Sequence, residues 1–296
     1  MKKLLAFLLA LTMVLTLAAC GSDPVPTGTT EATKPETTPS EVTEPQLVTA
    51  YALDTITVRA DGVEAVVSFT FDERGLLHNI EMRANGELQN QIKTEFDENG
   101  DPTVATTYGP DNKEISKIEY VSVENGKVNE SLETSNGKTI REVSIRDDAG
   151  NLIEKKQYDE DGGLIGSTKY EYDDLGHPAK EIVLNGDGKE TQIKEYHCDR
   201  DGNLTEYCWK TGLVVTYEIC HYLYTYEDGR LTQRTSQTEN GIDFAYRYDE
   251  AGNLVEITTD GGTVTLLYNP MELSEKDAQM LEETVGSFLE GAFILT

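Results

Sequence analysis

The side chains best suited to chemistry gather late in the chain, where His197-Cys198, Cys208 and Cys220-His221 form one dense set of metal-type ligands. Zinc is held by such residues in fours, commonly with a Cys-x-x-Cys step that this sequence lacks. Pairing residues about turns centred near 201 and 212 sets Cys198 opposite Leu204 and Leu204 opposite Cys220, with Cys208 on the same face. Alternate strands lie roughly 10 Å apart, too far for a disulfide between Cys198 and Cys220. Neighbouring residues of a strand point to opposite faces, so both histidines are expected away from all three thiols. The expectation is free, buried thiols and no zinc.

Acidic loops such as Asp97-Glu98-Asn99-Gly100-Asp101, Asp159-Glu160-Asp161-Gly162 and Asp199-Arg200-Asp201-Gly202-Asn203 place oxygens at spacings that could hold calcium. None carries the closing glutamate of an EF-hand, and Asp, Asn and Gly are also what a hairpin turn requires of its backbone. No cofactor is therefore expected, with calcium in the acidic turns as the alternative. His78 and His177 sit beside turns, and there is no His-Glu-x-x-His, no Gly-x-Ser-x-Gly and no phosphate loop. Glutamates are plentiful enough for the carboxylate pair of a glycosidase, but no pair stands out. A non-enzymatic protein is the expectation.

Aromatic residues carry more information. Tyr222, Tyr224 and Tyr226 alternate along one segment, as do Tyr170 with Tyr172, Tyr246 with Tyr248, and Phe69 with Phe71. In a strand each group projects from one face. Either those faces stack into a core, the preferred reading, or they form a row of rings on which a sugar could stack while nearby acids accept its hydroxyls.

What positions these residues is a repeat. Turn signals recur about every twelve residues from Gly62 to Gly261, the length of one strand and one turn. Asn125-Gly126, Asn136-Gly137, Asp228-Gly229 and Asn240-Gly241 suit two-residue type I′ hairpins. A longer form is spelled Phe71-Asp72-Glu73-Arg74-Gly75, Phe96-Asp97-Glu98-Asn99-Gly100, Tyr172-Asp173-Asp174-Leu175-Gly176 and Tyr248-Asp249-Glu250-Ala251-Gly252. Residues 48–268 are thus expected to be an all-β meander of roughly 18 antiparallel strands, curled or spiral. Tyr246-Arg247-Tyr248-Asp249-Glu250-Ala251-Gly252-Asn253-Leu254 resembles the tyrosine-aspartate (YD, RHS-like) repeat family, and Tyr170 to Gly176 resembles the first half of that motif. The resemblance implies repeated hairpins, while the autoprotease and toxin segments of that family have no counterpart here. In residues 269–296, Ser274 can cap a helix with Asp277 three residues on, and Ala278, Leu281, Val285, Phe288 and Leu289 recur at helical spacing. A helix closing the sheet is expected.

The amino terminus gives an address. Lys2 and Lys3, the apolar run Leu4 to Leu17 and then Leu17-Ala18-Ala19-Cys20 make residues 1–20 read as a signal peptide, the run being short of the ~20 residues that span a bilayer. Leu-Ala-Ala-Cys resembles the lipobox of bacterial lipoproteins, and that resemblance implies acylation at Cys20, palmitate labelling and a lasting membrane anchor. Residues 21–47 are the tether: positions 21 to 46 hold five prolines and seven threonines, cannot bury enough to fold, and reach roughly 25–30 Å as a coil. Loss of Lys2 and Lys3 would take the net charge from −29 to −31. So acidic a surface repels phosphate backbones, which excludes nucleic acid as a partner. The sequence predicts an extracytoplasmic, lipid-anchored binding or envelope-scaffolding module; a carbohydrate-active protein, binding glycan on the tyrosine face or cleaving it, is the alternative.

Overall fold

A computed structural model describes residues 47–124, 127–200, 203–211, 214–227, 229–236, 243–259 and 261–289, with backbone alone at 214–221, 230 and 236. The signal peptide, Cys20, the tether to residue 46 and the turns at 125–126 and 240–241 lie outside the described residues. The strands are β1 (Leu47–Ala60), β2 (Val63–Phe71), β3 (Leu77–Ala84), β4 (Glu87–Phe96), β5 (Pro102–Tyr108), β6 (Glu114–Glu124), β7 (Lys127–Ser135), β8 (Lys138–Arg146) and β9 (Leu152–Tyr158). They continue as β10 (Leu164–Tyr172), β11 (Pro178–Asn185), β12 (Glu190–Cys198), β13 (Leu204–Thr211), β14 (Val214–Glu227), β15 (Arg230–Ser236), β16 (Phe244–Tyr248), β17 (Leu254–Thr259) and β18 (Gly262–Ser274). One helix follows, α1 (Glu275–Leu289).

Two kinds of turn make the meander. Asn136 and Gly137 hold φ of 52° and 72°, the paired positive values of a type I′ hairpin. The longer turns share one wiring: the first residue's N–H donates to the fifth residue's carbonyl, and the fourth residue's N–H returns to the first carbonyl, as at Asp72, Asp97, Asp147, Asp159, Asp173 and Asp249. The aspartate side chain completes the turn. Asp72 Oδ1 accepts the N–H groups of Arg74 and Leu76, both at 2.9 Å, and Asp147 Oδ1 accepts those of Ala149 and Asn151. After each such turn the ladder slips by one residue, for instance at Glu171/Tyr172, His197/Cys198 and Arg247/Tyr248. A slip of one exchanges the faces of everything beyond it.

Every strand pairs antiparallel with its chain neighbours, and β1 pairs with β18, so the sheet curls round and closes as a barrel. One face holds the core. Ile56, Val67, Ile257 and Leu266 have no or almost no exposure, whereas Leu223 and Leu267 on the other face are 55 % exposed. Ile56, Val67, Ile257 and Leu266 belong to one buried cluster, and with the sheet closed through β1 and β18 the face they share is the inner one. The apolar filling runs through β16 to β18 and β1 to β3. Farther round, the same face carries charged and hydroxyl side chains.

The ladder of β1 with β18 extends past β2 and β17, from Leu47/Ser274 to Arg59/Thr263. β18 therefore runs through Pro270, and the helix starts at Glu275 rather than at 269. Ser274 caps it: its Oγ accepts the Asp277 N–H at 3.2 Å and donates to the Asp277 carboxylate at 2.8 Å. Ala278, Leu281, Val285 and Phe288 are buried against the sheet, with the Phe288 ring edge-on to Phe69 at 5.0 Å. Gly75, with φ +77°, lets the turn pass beneath the helix, since a Cβ there would stand 3.1 Å from Leu273 Cδ1. Among the described residues no helix is long and apolar enough to cross a membrane.

Candidate functional site

Tyrosine hydroxyls on the inner face tie neighbouring hairpins together. Tyr172 donates its hydroxyl to the carbonyl of Leu152 at 2.9 Å, Tyr224 donates to Leu204, and Tyr268 to Leu254 at 3.0 Å. In each case the acceptor is the first residue of the preceding strand. The hydroxyl thus ties one hairpin to the turn before it, and Tyr226 does the same through the Asn203 side chain. Tyr222 lies beneath the Arg234 guanidinium, 5.2 Å from ring centre to Cζ. Tyr246 is buried and Tyr248 packs at the edge of the core. Of the seven tyrosines singled out by alternation, Tyr172, Tyr224 and Tyr226 are clasps, Tyr246 is buried, and Tyr226 is the most open to solvent, at 45 %.

Tyr170 is different, because the register surrounds it with polar partners. It stands opposite Glu181, Glu181 opposite Lys194, and Lys194 opposite Trp209; one step along, Tyr196 stands opposite Tyr207. These six side chains share the inner face of β10 to β13. Lys194 Nζ lies 3.1 Å from both oxygens of Glu181, and the Tyr196 hydroxyl donates to the same carboxylate at 3.1 Å. The rings of Tyr196 and Tyr207 meet at 5.4 Å, tilted by 37°. Burial first, and then the charge of Glu181, push the Tyr196 hydroxyl well above its ordinary range, so it stays a donor. The rings of Tyr196, Tyr207 and Trp209 are half-buried.

Alternation within strands marks Tyr170 alone of this group. Pairing centred on the 199–203 turn sets Tyr196 opposite Glu206, so the Tyr196–Tyr207 pair emerges only once the bulge is counted; Trp209 is the chain's single tryptophan, and the Glu181–Lys194 pair emerges only from the register of two further strands. A second inner carboxylate, Glu142, is bridged by Lys155 at 3.1 Å. Flat rings beside fixed donors and acceptors are an arrangement for binding. Carboxylates each held by a lysine are poorly placed to serve as a nucleophile or general acid.

The slip between His197 and Cys198 corrects the expected arrangement of thiols. Cys198 does pair with Leu204, but Cys220 stands opposite Tyr207, not Leu204, and Cys208 pairs with Glu195 on the outer face. His197 and His221 are both in register with Glu206, which puts their positions on the face of Cys208. Two slips are the cause: the extra residue in β13 after the 199–203 turn moves Cys208, the shift between Trp209 and Thr211 in the β13–β14 ladder changes the partner of Cys220, and the turn-centred pairing included neither. Burial raises the thiols of Cys198 and Cys208 above their ordinary range, with nearby carboxylates adding to it. Among the described residues no group of three or more His, Cys, Asp or Glu is placed to hold a metal ion.

The RHS Repeat family profile matches residues 226–264, spanning β15 to β17 and the best-preserved Tyr-Asp motif. No curated protein matches the sequence. Among solved structures, a porin-like protein from Bacteroides uniformis ATCC 8492 aligns with 74 % of this chain and 98 % of its own at 11 % identity and a TM-score of 0.47. A porin-like protein from Bacteroides vulgatus ATCC 8482 aligns with 73 % and 98 % at 10 % identity and 0.42. A chain of the TcdB2-TccC3-TEV structure aligns with 72 % of this chain and 15 % of its own, at 12 % identity and 0.23. The chain thus carries YD/RHS-like repeats in an all-β, 18-stranded sheet.

Proposed function

We propose that this protein is a lipid-anchored, extracytoplasmic binding module without catalytic activity, and that its ligand is a glycan held on the inner face of β10 to β13. The observation that carries the reading is the cluster of Tyr170, Tyr196, Tyr207 and Trp209 around the Glu181–Lys194 ion pair. Rings of this kind offer an apolar face to the C–H side of a sugar, while a neutralised carboxylate, an ammonium and a phenol hydroxyl satisfy its oxygens without leaving a net charge behind. The site differs from the Tyr222, Tyr224 and Tyr226 row, in which the Tyr224 and Tyr226 hydroxyls are tied to the turn before them and the Tyr222 ring lies against Arg234. Calcium is not needed in this reading: in the acidic turns one carboxylate oxygen already accepts two backbone N–H groups.

A glycan array on the wild-type protein, repeated with Tyr207→Ala and Trp209→Ala, tests the site. At least tenfold weaker binding with a melting temperature within a few degrees of wild type is the expected result. A blank array with the wild type, or binding that falls only as the variants unfold, would leave a scaffolding role for the envelope instead.

A further inference from the structure

Among the described residues the ladder between β15 and β16 holds two residue pairs, Gln233 with Ala245 and Arg234 with Phe244, where β14 with β15 holds six and β16 with β17 four. The cause is local. A bulge opposite Thr225 and Tyr226 leaves Thr232 as an extra residue in β15, so the register cannot continue from Arg234 to the facing positions Tyr246 and Arg247. The two strands are consecutive in the chain, β15 ending at Ser236 and β16 starting at Phe244. Strand edges that face each other without a ladder offer N–H and C=O groups to another extended chain.

The side chains at the gap make the same point independently. Tyr246 is 8 % exposed, and its buried hydroxyl has no hydrogen-bond partner in the structure. A buried hydroxyl left in that state is costly, and an acceptor oxygen entering from outside would relieve it. Beside it Arg234 is 2 % exposed, its guanidinium 4.3 Å above the Phe244 ring. The inner wall of the gap is thus aromatic, with one donor waiting.

We propose that the seam between β15 and β16 is an interaction surface that accepts one extended peptide from a partner protein as an added strand. The peptide alternates aromatic or aliphatic residues, turned inward, with short polar ones, and one inward side chain brings an oxygen acceptor to Tyr246. It is neutral or basic, because the receiving chain carries a net charge of −29, which also disfavours a second copy of itself. The sugar site on β10 to β13 is separate, so the fate of either reading leaves the other standing.

The test uses a fluorescent peptide with the neutral sequence of residues 167–172, Ser-Thr-Lys-Tyr-Glu-Tyr, and its scrambled form, read by anisotropy. A clamp, Gln233→Cys with Ala245→Cys, joins two outward, already paired positions by a disulfide. Saturable binding to wild type and to the reduced clamp, at least tenfold weaker binding to the oxidised clamp, and several-fold weaker binding to Tyr246→Phe with an unchanged or higher melting temperature are expected. Equal binding to the oxidised clamp, equal binding of the scrambled peptide, or no saturation at all would overturn the proposal. So would self-association of the wild type that the oxidised clamp abolishes, since the seam would then belong to a second copy, or peptide binding that appears only when residues 290–296 are removed.

Discussion

At the scale of single residues, the turn aspartates decide how the fold responds to acid. Burial alone would lift the Asp72 carboxyl, but the N–H groups of Leu76 and Arg74 and the His78 ring outweigh it and hold it below the ordinary carboxylate range. Asp147 and Asp249 are held low in the same way, with the Asn151 and Asn253 side-chain amides contributing. A carboxylate whose value is depressed by folding adds stability that is present above its unfolded value of about 4 and is lost as pH falls through the lower folded value. The melting temperature should therefore be flat from pH 7 to about 5 and drop steeply below about 4. Asp72→Asn, which keeps an acceptor and removes the charge, should melt lower at pH 7 and show a shallower acid limb. An acid limb as steep in the variant as in wild type would contradict this role.

At the scale of elements, the hairpins were legible in the sequence because Asp, Asn and Gly are required by the turn backbone itself, as the φ values of Asn136 and Gly137 show. The faces were not. Each five-residue turn ends in a bulge that reverses the alternation beyond it, so Cys208 lies on the outer face rather than with Cys198 and Cys220, and the Tyr224 and Tyr226 hydroxyls turned out to be tied to the preceding turn. The helix was readable from Ser274 and the spacing of its apolar residues, but the strand leading into it was not, because Pro270 sits where its N–H is not needed. Leu281 is fully buried between that helix and the turn at Gly75. Leu281→Ala should cost about 2–5 kcal/mol, read as a shifted denaturant midpoint with an unchanged slope. A loss under about 1 kcal/mol would mean that the helix rests on the sheet without bracing it.

At the scale of the whole molecule, the end of the sheet at which the described chain begins is fixed by the pairing of Leu47 with Ser274, and the turns at Asp72, Asp97, Asp147, Asp173 and Asp249 lie at that same end. If Cys20 carries the lipid, the chain from the membrane enters the sheet at this rim, and the Asn-Gly turns at 85–86 and 136–137 lie at the opposite end. Cys20→Ser should then release the protein from the membrane fraction and abolish labelling by radioactive palmitate. Label retained by the variant would show that the attachment, if any, is made elsewhere.

The long ladder between β1 and β18 also sets how such an anchored molecule would carry load. A pull transmitted from the amino-terminal side would enter at Leu47, at the end of a ladder of twelve residue pairs interrupted once, at Asp54. Directed along β1, it would have to shear those rungs together, with those of β2 beside them. Directed across the strand, it would open them one at a time, starting from Leu47. The first strand is therefore a joint that is strong in tension and weak in peeling, and its strength is set by the last strand of the chain.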